Sequence, residues 1–293
     1  MTMLRKRHGA LRVVAFAPRA EPPRLPFGFR GTQGGVALRS SIAYMIAQNT
    51  RESLFDKNSY RVAPIASVTK LMASMVALDS KAPLTEKIQV TDKDRDYEKH
   101  TGSRLAVGST LSREDMLHIA LMASESRAAA VLSRYFPGGR TAFIAAMNEK
   151  AKVLGMADTH FKTPTGLTSR NVSSPWDLVK MAEAAYQYPL IREFSTDHSY
   201  EVNTGKGILE YHSTNALIRD PKWHTGLQKT GFINEAGICL VTQATIAGRP
   251  IVMVRVDSSG RYSDFADAAT LRTFPLSVDR QRVTVVDTDR SGT

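Results

Sequence analysis

Apolar and polar positions change rhythm three times along this chain. From about residue 36, "SIAYMIAQNTRESLF" gives an apolar run, a polar turn at Asn49 to Glu52 and a second short run, the pattern of a β-hairpin. Residues 66 to 78, within "APIASVTKLMASMVALDS", then form a predicted helix with almost no polar face. A helical middle follows. Ser112, with Asp115 three residues on, is a capping signature opening "REDMLHIALMASESRAAAVLSRYF", which has a polar break at "SES". "TAFIAAMNEKAKVLG" is a further amphipathic helix stopped at Gly155, and Ser174, Pro175 and Asp177 start another, "WDLVKMAEAAYQY", which ends before Pro189.

Beyond Pro189 the texture turns to β. "TGLQKTG", "GICLVTQATIAG" and "RPIVMVRVDS" are strand-like runs separated by the turns "NEAG" and "AGRP", and a last helix is expected over about 262 to 274. This order predicts an α+β fold: an antiparallel sheet built from both ends of the chain and flanked by helices, with an all-helical lobe inserted at about residues 80–200. One domain is expected over residues 36–275, between a basic, Pro-rich tail or degenerate leader at 1–35 and a C-terminal tail at 276–293.

Composition narrows the function. With 42% hydrophobic and 23% charged residues in 293, the chain is globular in type, and no run approaches the roughly 18 apolar residues of a membrane-spanning helix. The net charge of +11 invites a polyanion, yet residues 1–40 carry +7 of it, and the remainder shows no base-reading motif, so nucleic acid is not an expected partner. "RKRHGALRVVAFAPRA" starts as a secretory signal does, but its apolar stretch is short and interrupted by Arg12. The lone Cys239 excludes an internal disulfide, and no spacing of His, Cys, Asp or Glu suits a metal. Asp92, Asp94, Asp96 and Glu98 alternate with basic residues and are expected in a solvated loop; Trp176 and Trp223 are expected to pack, and His212 and Asn215 to be solvated or hydrogen-bonded loop residues.

The chemistry centres on Lys70. Three residues apart on a helix, Ser67 and Lys70 share a face, and Ser67 lies in the first turn, where free N–H groups point outward. Ile65, Val68, Leu71, Met72 and Met75 surround the lysine with apolar material. Desolvation lowers the pKa of a buried lysine, and a neutral amine beside a serine hydroxyl is a general base beside a nucleophile. On these four residues alone, a lysine that snorkels to solvent accounts for the pattern equally well. Two further elements shift the balance. Ser124-Glu125-Ser126 stands at the helical break, and Lys229-Thr230-Gly231 stands on a predicted strand. Ser124 suits a proton relay to a leaving nitrogen, and Lys229 with Thr230 suits a substrate carboxylate. Gly231 clears the strand edge for a substrate backbone, and the N–H groups of Phe232 and Ser67 are candidate donors to an oxyanion.

S-x-x-K, a Ser-x-x triplet and K-T-G in this order, together with "PIASVTKLMASMVALD", "SREDMLHIALMASESRAAAVLSRYFPGG", "FIAAMNEKAKVLGM", "PTGLTSRNVSSPWDL", "QKTGFINEAGICLV" and "YSDFADAATLRTF", carry a resemblance across about residues 40–275. The chain resembles the low-molecular-weight penicillin-binding proteins, the serine D,D-peptidases of peptidoglycan. The resemblance implies a β-lactamase/D,D-peptidase-like fold and an acyl-transfer hydrolase acting on D-Ala peptide bonds in peptidoglycan stem peptides and cross-links. It also implies covalent inhibition by β-lactams, no metal or organic cofactor, and a periplasmic location. By the family's pattern Ser67 is the acylated nucleophile, Lys70 the proton acceptor, Ser124 the second serine of the relay and Lys229 a ligand of the substrate carboxylate. The short C-terminal tail favours an endopeptidase over a D,D-carboxypeptidase with an extra β domain. One position departs. Ser126 stands where the family has an Asn that holds the substrate amide and the lysine, and the shorter serine is expected to reach only through a water, which leaves a low-activity penicillin- or peptidoglycan-binding protein as the alternative. A β-lactamase needs a carboxylate to activate the deacylating water; in "PTGLTSRNVSSPWDL" the acid is Asp177, expected as a helix cap.

Overall fold

Alternate residues of the first strand face two different cores, and that alternation organises the molecule. The computed structural model describes residues 38–220, 222–259 and 267–273. It opens with β1 (Ser40–Ala47) and β2 (Ser53–Lys57), the expected hairpin. Ile42, Tyr44 and Ile46 join a large core shared with the helices, while Ala43 and Met45 join a smaller one with Phe55, Trp223 and Leu271.

After β3 (Ala63–Pro64), a 3-10 turn (Ala66–Val68) runs into α1 (Thr69–Asp79). There follow β4 (Lys87–Gln89), β5 (Thr110–Ser112), α2 (Arg113–Met122), α3 (Ser126–Arg134), α4 (Gly139–Val153), β6 (Val172–Ser173), α5 (Pro175–Ala185) and α6 (Pro189–Thr196). β7 (Ser199–Asn203) and β8 (Ile208–His212) pair as a hairpin, and β9 (His224–Ile233), β10 (Gly237–Ile246) and β11 (Arg249–Ser258) complete the sheet. Its order is β2-β1-β11-β10-β9, antiparallel throughout, so two early strands pair with three late ones as the pattern predicted. β9 forms one edge. Residues 267–273 are helical, and the rest of the predicted last helix lies outside the described residues, as do the whole of the N-terminal tail and of the C-terminal one. The Asp267 carboxylate accepts the Arg39 N–H (2.9 Å), the Ser40 N–H (2.8 Å) and the Ser40 hydroxyl (2.6 Å), which ties this helix to the start of β1.

Local signals explain where the helices begin. Ser112 Oγ accepts the Asp115 N–H at 3.0 Å and Asp115 returns the bond to Ser112 N at 3.1 Å, a reciprocal cap on α2. Ser174 accepts from Asp177 N at the head of α5, with Pro175 in the first helical position. Asp177 also does more than cap: its Oδ2 accepts the Asp158 N–H (2.7 Å) and the Thr159 hydroxyl (3.0 Å), anchoring the preceding loop.

Several features differ from the sequence expectation. Pro189 ends the α5 segment but is itself the first residue of α6, because a missing N–H is harmless at either place. The inserted lobe is helical apart from the short pairs β3–β6 and β4–β5 and the β7–β8 hairpin. Asp94 is not solvated. Its buried carboxylate accepts from Arg134 Nε (2.9 Å) and Nη2 (2.8 Å), from Arg140 Nη2 (3.2 Å) and from Thr91 N (2.8 Å). Trp176 packs beside Tyr44 and Tyr60, and Trp223 is buried in the smaller core, both as expected. Asn215 caps a short turn by accepting the Leu217 N–H.

Asp94 joins the loop after β4 to both α3 and α4, so removing it strands two arginines at one junction. Asp94→Ala is expected to lower stability by about 2 kcal/mol, seen as a thermal midpoint about 5 °C lower. An unchanged midpoint would show that the arginines find other acceptors.

Candidate active site

α1 is buried from Thr69 to Ala77, and α2, α3, α4, α5 and α6 all touch it. A lysine on this helix has no route to water, and Lys70 is 0% exposed. Its ammonium donates to Ser67 Oγ at 2.7 Å, to Ser126 Oγ at 3.1 Å and to the Thr165 carbonyl at 2.8 Å. Three N–H groups thus meet three acceptors, which satisfies the charged form completely. Burial nonetheless pushes the Lys70 pKa down to about 7, against the opposing charge of Glu125. The snorkelling alternative is excluded.

Ser67 lies in the 3-10 turn before α1, not in the α-helix itself, and the residue before it, Ala66, has φ +46°. A positive φ strains a residue with a Cβ. Two glycines hold the turn in place. An ideal Cβ on Gly166, itself at φ +78°, would fall 2.0 Å from the Ala66 carbonyl oxygen, and one on Gly231 would fall 2.7 Å from the Ser67 nitrogen. Only glycine at both sites allows the 163–166 loop on one side and β9 on the other to press against the serine's backbone. Asn171 fixes that loop: its Oδ1 accepts the N–H groups of Lys162 (2.8 Å) and Thr163 (3.0 Å), and its Nδ2 donates to the Thr163 carbonyl (2.8 Å) and to Thr69 Oγ1 on α1 (3.0 Å).

Ser67, Ser124, Ser126, Thr230, Gly231 and Phe232 line one cleft of about 1460 Å³, so the structure brings these predicted residues together. Ser124 sits at φ +59° in the turn between α2 and α3. Of the two serines of that turn, Ser126 is the one bonded to Lys70, and directly, which corrects the expectation that it reaches only through a water. Lys229 is also 0% exposed; its ammonium donates to the Thr230 carbonyl (3.0 Å), and among the described residues no carboxylate forms an ion pair with it. Burial, and then the charge of Lys70, push its pKa well down. Phe232 is 61% exposed at the cleft. His212 is an exposed rim residue. Lys99 pairs with Glu235 in the β9–β10 turn, joining the 95–103 loop to the sheet side of the cleft.

Sequence reasoning missed Thr165, Gly166, Asn171 and the partners of Glu125. The available signal was a glycine in the polar loop "PTGLTSRN", which pattern alone does not connect to a helix almost a hundred residues earlier. Among the described residues no group of His, Cys, Asp and Glu is placed to hold a metal, and no helix is long and apolar enough to cross a membrane.

An antiparallel sheet flanked by helices, with a serine and a buried lysine at the start of the central helix and a Lys-Thr-Gly strand beside them, defines the class of serine D,D-peptidases. The model of the peptidase S11 family, described as D-alanyl-D-alanine carboxypeptidase, matches residues 31–260, and the chain belongs to that family. A D-alanyl-D-alanine endopeptidase of Pseudomonas aeruginosa is 45% identical over 237 residues, covering 80% of this chain and 76% of that one. One from Escherichia coli is 44% identical over 239 residues, covering 81% and 77%. The Streptomyces K15 DD-transpeptidase structure superposes with a TM-score of 0.76 at 26% identity, covering 83% of this chain and 98% of that one. Penicillin-binding protein D2 of Listeria monocytogenes, in an ampicillin-bound form, superposes at 0.73 with 27% identity, covering 83% and 99%.

Gly166→Ala is expected to displace the Ala66–Ser67 turn while leaving the cleft's side chains intact. The rate of covalent labelling by a fluorescent penicillin should fall about a hundredfold, the scale of an ångström of misplacement at a reacting group. A rate within twofold of the parent would show that the loop yields instead.

Proposed function

We propose that this protein is a D,D-endopeptidase that hydrolyses D-Ala peptide bonds in peptidoglycan cross-links through an ester on Ser67. The observation that carries this reading is the Ser67 hydroxyl lying 2.7 Å from an amine kept wholly out of water. In the reaction, Lys70 in its neutral form takes the Ser67 proton as Oγ attacks the carbonyl carbon of the D-Ala residue. The carbonyl oxygen becomes an oxyanion between the N–H groups of Ser67 and Phe232, which Gly231 brings within reach of each other. The proton then passes by way of Ser124 to the leaving nitrogen, the C–N bond breaks, and water hydrolyses the ester to regenerate Ser67.

Lys229 has a different task. Burial disfavours the charged form of Lys229, so a ligand that brings a carboxylate restores the ammonium, and a substrate carboxylate beside Lys229 and Thr230 does so. The same contact draws in the carboxylate of a β-lactam, which acylates Ser67 in the substrate's place. Ser126, shorter than an Asn, keeps the contact to Lys70, and this favours a working enzyme over a binding protein that has lost turnover. The endopeptidase assignment draws on the two relatives named above, and a peptidoglycan substrate places the work in the periplasm.

A fluorescent penicillin is expected to label the wild-type protein covalently and not to label Ser67→Ala, and the wild-type rate should climb as pH is raised through about 7, since the base is the deprotonated amine. Labelling of Ser67→Ala would remove Ser67 from its role. Mass analysis of digested cell wall should show loss of cross-linked dimers; release of free D-Ala alone would assign carboxypeptidase activity instead.

A further inference from the structure

Between the two serines of the α2–α3 turn lies a carboxylate that this scheme leaves unused. Glu125 is 8% exposed and caps α3, its Oε1 accepting the Arg127 N–H at 3.1 Å. The same oxygen accepts the Ser103 hydroxyl at 2.8 Å, and Oε2 accepts the Tyr211 hydroxyl at 3.4 Å. These donors come from α3, from the loop between β4 and β5 and from β8, so one side chain fastens three walls of the cleft. Asp, Asn or Ser would cap the helix as well. What a carboxylate adds in a place so poor in water is a negative charge.

The groups around it give that charge a purpose. Lys70 on α1 and Lys229 on β9 are both wholly buried, and the charge of Lys70 reaches Lys229. The Arg127 guanidinium is turned away to the Leu105 carbonyl, and the Arg104 guanidinium lies over the Tyr211 ring, 5.0 Å from its centroid, and donates to the Glu210 carbonyl. Glu125 directly precedes Ser126, whose Oγ lies 3.1 Å from the Lys70 ammonium, and it is the carboxylate whose charge Lys70 feels. Lys70 would otherwise stand in a dry site with no anion beside it until substrate arrives.

We propose that Glu125 is a positioning residue for this reaction: its charge counterbalances the buried Lys70, and its hydrogen bonds fix the turn that presents Ser124 and Ser126. The inference rests on the Ser67–Lys70 reading above. Burial and Glu125 pull the Lys70 amine in opposite directions, burial toward the neutral form and the carboxylate toward the charged one. Removing the charge while keeping the shape therefore leaves more neutral amine at low pH.

The test is the single-turnover rate of acylation by a fluorescent penicillin, measured against pH for the wild type, Glu125→Gln, Glu125→Asp and Glu125→Asn. The acid limb of Glu125→Gln is expected to move to lower pH by about one unit, the direction set by loss of the charge that favours the ammonium. Glu125→Asp should keep the wild-type limb even where its rate is lower, and Glu125→Asn should follow Gln. Asp and Asn both cap helices well, so that pair isolates charge at constant shape should Gln fold poorly. Coincident limbs for the charged and neutral variants would overturn the proposal while leaving Ser67 and Lys70 in their roles. A wild type that is not acylated at any pH would overturn the underlying reading as well.

Discussion

The amine of Lys70 is kept away from water, and much of the architecture can be understood as the means of keeping it there. A helix that buries every residue from Thr69 to Ala77 needs cover on all sides. The five helices that touch α1 provide that cover, and the sheet packs against α5, α6 and the 3-10 turn that leads into α1. The cost of holding a cation in that place is offset by matching its three donors with Ser67, Ser126 and Thr165. With a pKa near 7 the same cage serves both states, because the neutral amine turns its lone pair to the Ser67 proton and keeps two donors for the other acceptors.

Two of the strained backbone positions lie close to the same point. Ala66 and Ser124 both have positive φ, a conformation that costs about 1–3 kcal/mol where a Cβ is present. Each is held by its surroundings. Ala66 is pinned between the Gly166 loop and the Gly231 strand, and the turn of Ser124 is bounded by the Ser112-capped α2 and the Glu125-capped α3. Large apolar cores on both faces of the sheet supply the stability against which such local strain is held.

The sequence made the sheet, the main helices and the reacting residues visible for identifiable reasons. Strands β1, β9, β10 and β11 alternate or run apolar because they are buried, and α2 and α5 announce themselves through Ser112–Asp115 and Ser174–Pro175. Elements with weak burial signals stayed hidden: β7 and β8 each bury one residue of five, and α6 has only eight residues behind a proline that also looks like a stop. Asp94 was misread because neighbouring charges are a surface pattern until tertiary structure brings two arginines to one of them. Thr165 and Asn171 were invisible for a related reason. Each acts through contacts to α1 from about a hundred residues away, and a backbone carbonyl has no letter in the sequence.

β9 ends the sheet on the side of the cleft, and a terminal strand can accept a neighbour only if that neighbour is stretched out alongside it. Shape therefore screens what reaches the serine before any side chain is consulted. Compact globular proteins, whose main chains are already engaged with themselves, are turned away. Extended chains with unengaged main-chain groups are admitted.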